Sequence, residues 1–189
     1  MESDKSNLVW IDQQPLLLHT FHAMEQAGWT AHAVLSPKNY PCWKSVIPSN
    51  RAILNSFPQL GKTTSIACGV AAVSATADWI LITSVDQPRL PQLHCQLLEC
   101  AKSTDASVIL PFSNGHRSHP VVVRGCFRLQ LLELHDHAFG LRGFLDAHSN
   151  ETHRFPVDDP RQLGWDLNTP DDYQAALAYF GGSAGLRED

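Results

Sequence analysis

A chain of 189 residues that is 43% hydrophobic and 17% charged has the composition of one globular domain with a substantial core, which excludes disordered and fibrous classes. Its formal net charge of −5 argues against nucleic acid as a partner, because nucleic-acid binders carry a clustered basic face; any anionic ligand must be held locally. Five scattered cysteines without C-x-x-C spacing, no apolar segment of membrane-span length and no signal-peptide core predict a soluble, cytoplasmic protein with no membrane partner.

Met1 to Asn7 is short and polar, and Leu8-Val9-Trp10-Ile11 with Asp12-Gln13-Gln14 reads as a small extended piece and a turn. Pro15 opens a helix in which Leu16, Leu17, Phe21, Met24 and Ala27 recur at helical spacing, with Gly28 after its end. Residues 31–35 and 51–54 are short strands, the second ending in Asn55, and the irregular crossover between them carries Tyr40, Trp43 and Ile47. A helix to residue 77 follows Gly61. With Lys62, Thr63, Thr64 and Ser65, that start is either an ordinary N-cap or a set of donors for a phosphate or sugar hydroxyl. It is not a P-loop, since Ser56 stands where G-x-x-x-x-G-K-[ST] needs its first glycine.

The apolar, β-branched run Trp79-Ile80-Leu81-Ile82-Thr83-Ser84-Val85-Asp86-Gln87-Pro88 reads as a buried parallel strand that delivers Asp86 to its C-terminal edge, where open α/β sheets bind ligands. There Asp86 is either a turn residue or a metal ligand facing a nucleotide. Residues 91–103 form a helix, 106–111 and 121–124 strands, and 127–134 an apolar-faced helix, with a second helix opening at Gly140. In the polar turn before Val121, Arg117 and His119 either bind an anion or a base or solvate a hairpin. His135-Asp136-His137 is the one local zinc candidate among ten histidines, without a full ligand pattern. Residues 153–157 form a late strand. Asp166 and Asn168 then sit on alternating sides of an extended segment, before a helix capped by Thr169 with Pro170 at its first position and running to residue 180. Strands alternating with helices predict an α/β class in one domain, residues 1–180, with a frayed tail at 181–189.

One ordered set of motifs runs through these elements. It comprises Asn55 with Gly61-x-x-Thr64-Ser65-x-x-x-Gly69, then Val85-Asp86-Gln87-Pro88, Pro111-x-x-x-Gly115-x-Arg117-x-His119-Pro120, Gly140-x-Arg142, and Asp166-Leu167-Asn168-Thr169-Pro170-Asp171-Asp172. The set resembles the MobA-like nucleotidyltransferase family and, within it, the molybdenum cofactor cytidylyltransferase branch; each motif alone is weak, and their shared order is specific. The resemblance implies a Rossmann-like three-layer α/β/α sandwich with a mostly parallel sheet, and a Mg²⁺-dependent enzyme. Such an enzyme moves a nucleotidyl group from an NTP, CTP favoured over GTP, onto a phosphorylated acceptor, molybdopterin cofactor, and releases pyrophosphate. A molybdoenzyme or its chaperone would receive the product.

The same resemblance carries roles onto residues. Lys5, Asp86 and Asn168 would be catalytic, and Lys5, Asn55, Gly61, Thr64, Ser65 and Asp86 would bind the nucleotide. Arg117, His119 and Arg142 would bind the acceptor, and Asp86 would hold the metal with Asp166 or Asn168, one of which must then lie within reach of it. Family members begin with a strand and a loop of the type L-A-A-G-x-S-x-R-M-G-x-x-K. Here Met1-Glu2-Ser3-Asp4-Lys5 matches only its end, with Glu2 in place of glycine, which implies a fold whose first strand is missing and a weakened triphosphate cradle. A recorded start downstream of the true one accounts for this. The alternatives are a catalytically impaired accessory or binding module of the same fold, and a sugar-phosphate nucleotidyltransferase or glycosyltransferase.

Overall fold

The computed structural model describes residues 5–184, so the Glu2 position and residues 185–189 lie outside it. Single 3-10 turns at Lys5–Asn7 and Ile11–Gln13 flank a bridge between Val9 and Pro15. In chain order there follow α1 (Leu16–Gln26), β1 (Ala33–Leu35), α2 (Tyr40–Trp43), β2 (Ala52–Leu54), α3 (Lys62–Ala72), β3 (Trp79–Ile82) and α4 (Pro91–Ser103). The second half contributes β4 (Val108–Ser113), β5 (His116–Arg117), β6 (Val121–Arg124), α5 (Arg128–Leu132), α6 (Gly140–Ala147), β7 (Thr152–Pro156) and α7 (Pro170–Ala184).

The larger sheet has the order β3-β6-β4, with β7 along the far side of β4 and the short β5 on its end. Side-chain alternation divides its apolar residues between two faces. Ile80, Val108, Leu110, Val121 and Val123 turn to one side, where Val70 of α3, Leu131 of α5 and Phe144 and Leu145 of α6 cover them. Ile109 and Val122 turn to the other, against Leu93, Leu97 and Ala101 of α4. The three layers are therefore a direct product of period-two strands, each fully buried Val or Leu contributing about 1.5–3 kcal/mol.

Three elements depart from the sequence reading. β3, expected as a buried strand with parallel neighbours, is paired among the described strands with antiparallel β6 alone and is half-buried along most of its length. The link from β4 to β6 is too short for a parallel crossover, so β6 turns back and inserts beside β3. With β6 reversed between them, β3 and β4 still run in one direction, as does β7. α3 stops at Ala72 rather than near residue 77, because Val73 is extended and the Ser74 hydroxyl accepts the Thr76 N–H in a local turn. α7 continues through Gly181 and Gly182 to Ala184, beyond the expected end. Neither glycine adopts the positive φ that ends helices, and the preceding Phe180 is anchored against Trp10 and Trp165.

β1 and β2 pair in parallel as a sheet of their own, with a separate core of Phe21, Ala33, Leu35, Trp43, Ile47 and Ala52. Among the described strands, none pairs with both β1 and β3.

His94 on α4 is 1% exposed, and its Nδ1 is buried without a hydrogen-bond partner. Burial pushes its imidazole down to about 4, helped by Arg89 and His19. The folded state thus keeps His94 neutral while the unfolded chain takes up a proton below its ordinary value. Stability is full above that value and falls by about 3 kcal/mol as pH drops toward 4. His94→Leu is expected to flatten this acid slope, checked by urea unfolding at about pH 7.5 and 4.5.

Candidate active site

The C-terminal ends of β3 and β4 face one edge of the sheet, and the loops that leave them carry the chemistry. Asp86 follows β3 by four residues, and its carbonyl accepts the Leu167 N–H at 2.9 Å, which docks the segment before α7 onto this edge. Lys5 closes the cluster. Its Nζ donates to Asp86 Oδ2 at 3.1 Å and to Asn168 Oδ1 at 2.9 Å, with side chains of Lys5 and Asp86 only 18% and 23% exposed. Three residues from the start, middle and end of the chain thus converge on one ammonium. Partial burial raises the Asp86 pKa, but the Ser84 hydroxyl, Lys5 and Lys62 outweigh it and hold the carboxyl below its usual range.

Asp166 behaves differently from Asn168. It is exposed, and its charge acts on Arg89, whose pKa it raises against the lowering effect of burial. Of the two sequence candidates for a shared cation, Asn168 is the one placed beside Asp86 through Lys5.

At the start of α3, Gly61 has φ +113°, a conformation that favours glycine, and the exposed Asp136 carboxylate lies against the space where a Cβ would stand. Asn55 is 2% exposed and turned inward. Its Nδ2 donates to Thr64 Oγ1 at 2.9 Å and Ser65 Oγ at 3.0 Å, and its Oδ1 accepts the Phe57 N–H. The Thr64 hydroxyl also donates to the Gly61 carbonyl at 2.8 Å. These four residues are brought together as a staple between β2 and α3, with the Asn55 amide N–H groups already engaged.

Arg117, His119 and Arg142 share a cavity of about 670 Å³ with Arg154, over a floor that includes Leu110, Val121 and Leu145. Arg117 is braced by Asp146 at 2.7 Å, and Arg142 stands 4.0 Å from the same carboxylate. The Arg154 guanidinium lies over the Phe112 ring at 5.1 Å from its centroid. Three guanidiniums against one carboxylate make this a cationic pocket on an acidic chain. His119 links it to the Lys5 cluster: burial lowers its pKa, Arg89 and Lys62 add to that, and the Ile82 carbonyl and Asp86 oppose it, so the ring is neutral near pH 7.

Sequence reasoning missed Arg154, Ser84 and Arg89, and named Lys62 only within the start of α3. Arg154 had one available signal, its place on a late strand, whose partner β4 ends beside the Gly115 turn. The zinc candidate does not mature: the rings of His135 and His137 stack 5.3 Å apart, and no group of three or more His, Cys, Asp or Glu among the described residues is able to hold a metal. The Asp86 and Asn168 oxygens are another matter. They converge on a position taken by a cation, the Lys5 ammonium, and a carboxylate with a carboxamide oxygen is the donor chemistry of a hard divalent ion. The residues therefore fit such an ion.

The chain is thus an α/β protein in which a carboxylate and a lysine at the C-terminal ends of β3 and β4 stand beside a cationic pocket. The chain belongs to the MobA-like NTP transferase domain family, whose model matches residues 1–152. Nucleotidyl transfer is the chemistry of that class. Among solved structures, the Rv0371c protein of Mycobacterium tuberculosis H37Rv is similar over 94% of this chain and 90% of its own, with a TM-score of 0.75 and 18% identity. A manganese complex of that protein gives a TM-score of 0.73 at 18% identity, over 94% of this chain and 93% of its own. A nucleotidyl transferase from Methanothermobacter is similar over 95% of this chain and 86% of its own, at a TM-score of 0.74 and 18% identity. Molybdopterin-guanine dinucleotide biosynthesis protein A of Archaeoglobus fulgidus gives 0.63 and 14% over 96% and 92%. At such identities these likenesses establish the fold. No curated protein matches the chain. No helix among the described residues is long and apolar enough to cross a membrane.

Proposed function

We propose that the protein transfers a nucleotidyl group, CMP in preference to GMP, from an NTP to a phosphorylated acceptor of the molybdopterin type. The observation that carries this reading is the convergence of Asp86 and Asn168 on the Lys5 ammonium at the sheet edge, beside a cationic pocket. Asp86 and Asn168 would hold Mg²⁺, which supplies charge neutralisation at the reacting phosphate. Lys5 and Lys62 place positive charge for the triphosphate. Arg117, fixed by Asp146, acts with Arg142 and Arg154 to hold the acceptor phosphate, while neutral His119 orients it without a competing charge. An acceptor phosphate oxygen attacks the α-phosphorus, the bond from that phosphorus to the bridging oxygen breaks, and pyrophosphate leaves with the electron pair. The preference for CTP rests on His119-Pro120 following Gly115-x-Arg117.

The test is pyrophosphate release with molybdopterin as acceptor and CTP or GTP as donor. Arg142→Ala and Arg154→Ala are each expected to raise the acceptor KM by about 10–100-fold, the loss of one charge-assisted contact, with the CTP KM unchanged. Micromolar GTP binding without CTP binding overturns the cytidylyl assignment. Retained nucleotide binding with no pyrophosphate release at any acceptor concentration establishes the accessory module instead.

A further inference from the structure

The Arg89 side chain is 2% exposed, and its hydrogen bonds go to no carboxylate. Nε donates to the His119 carbonyl at 3.0 Å, Nη1 to the carbonyls of Pro88 at 2.8 Å and Trp165 at 3.2 Å, and Nη2 to Ser118 Oγ at 2.9 Å and the Leu163 carbonyl at 3.4 Å. The five acceptors belong to three chain segments. One carries Asp86, one leads from Arg117 to His119, and one runs on to Asn168. Single bonds join the first and second segments to the third, from the Leu167 N–H to the Asp86 carbonyl at 2.9 Å and from the Ser118 hydroxyl to the Leu163 carbonyl at 3.2 Å, but among the described residues no β-ladder runs between the three, and Arg89 ties all of them together.

We propose that Arg89 is a positioning residue that sets the spacing between the Lys5, Asp86 and Asn168 cluster and the Arg117, His119 and Arg142 pocket. This rests on the function proposed above, since the spacing matters because a donor and an acceptor must meet there. The planar fork of a guanidinium reaches three segments in fixed directions, which a lysine ammonium on the same path does not. A positive charge surrounded by carbonyl oxygens also draws together dipoles that would otherwise repel one another. In-line transfer depends on that placement: a displacement of about 1 Å costs roughly a hundredfold in rate while leaving each separate binding surface whole.

The experiment compares Arg89→Lys and Arg89→Gly with the parent in calorimetric binding of CTP alone, calorimetric binding of molybdopterin alone, and pyrophosphate release at saturation. Expected are dissociation constants within about threefold of the parent, kcat lower by about a hundredfold, and partial recovery of Arg89→Gly by millimolar guanidinium chloride but not by sodium chloride. Binding and kcat falling together, an unchanged kcat, or failure of even Arg89→Lys to fold overturns the proposal in favour of a purely structural anchor. If the parent itself transfers nothing, the functional reading has failed, and the spacing claim is decided by amide NMR shifts in Arg89→Lys. Shifts at both His119 and Asn168 support it, and shifts confined to residues 163–165 overturn it.

Discussion

Asp86→Ala is expected to remove metal-dependent nucleotidyl transfer by about a thousandfold or more while leaving the fold in place. The rate effect follows from losing the one carboxylate hydrogen-bonded to Lys5 among the described residues, and with it the proposed divalent ion, whose charge stabilisation would be worth several kcal/mol in the transition state. The fold survives because the contribution of Asp86 to stability is small. Its charged bond with Lys5 contributes about 1–3 kcal/mol, a minority of a domain's stability, and the bond that docks the α7 segment is accepted by the Asp86 main-chain carbonyl, which alanine keeps. Pyrophosphate release and a thermal melt on the same sample check both halves. Activity within a few-fold of the parent refutes the role. Because Asp86 titrates below the ordinary carboxylate range, it stays ionised through weakly acidic solution, and the parent rate has no acid limb from this group near neutrality.

Lys5→Met is expected to act in opposite directions on metal binding and on turnover. In the nucleotide-free protein the ammonium satisfies Asp86 Oδ2 and Asn168 Oδ1, so a divalent ion has to displace it. Removing it should tighten Mn²⁺ binding by roughly tenfold, about 1.4 kcal/mol, read by electron paramagnetic resonance or calorimetry. The same change removes the cation proposed to meet the triphosphate and should lower transfer by about a hundredfold. Weaker Mn²⁺ binding in the variant would show that Lys5 organises the oxygens rather than competing for them.

How much of this was legible depended on whether the determining forces are local. The bounds of α4 and β6 follow from the sequence because a proline at the first helical position and an unbroken valine run decide them within a few residues. The pairing of β3 was not legible, since a short continuous apolar run such as Trp79 to Ile82 does not reveal the direction of the strand beside it. Asp86 alone is an ordinary turn residue. Its grouping with Asn168 and Lys5 entered through the resemblance, and the structure shows Lys5 bonded to both side chains. Asn55 was matched by motif to the nucleotide, yet its amide is engaged by hydroxyls that only the approach of β2 to α3 brings within range. Arg89 had no sequence signal at all, because an arginine beside a proline looks exposed until carbonyls from residues 119, 163 and 165 are folded around it.

The division of the strands into two sheets governs how the molecule comes apart. Within the described residues no main-chain ladder crosses from β1 to β3, so the smaller sheet is joined to the larger through side chains. Helix α3 is the hinge pin: Gly69 leaves room for Val34 of β1, while Val70 enters the core under β3, β4 and β6. For α1, β1, α2 and β2 to open around Phe21 and Trp43, both that helix and the bond from Trp29 Nε1 to the His94 carbonyl of α4, 3.0 Å long, would have to yield, while the central β4 and β6 pairing stayed whole. The staple from Asn55 to Thr64 and Ser65 binds β2 to the same helix, so a partial opening of the small sheet would dismantle the side proposed for the nucleotide before the side proposed for the acceptor.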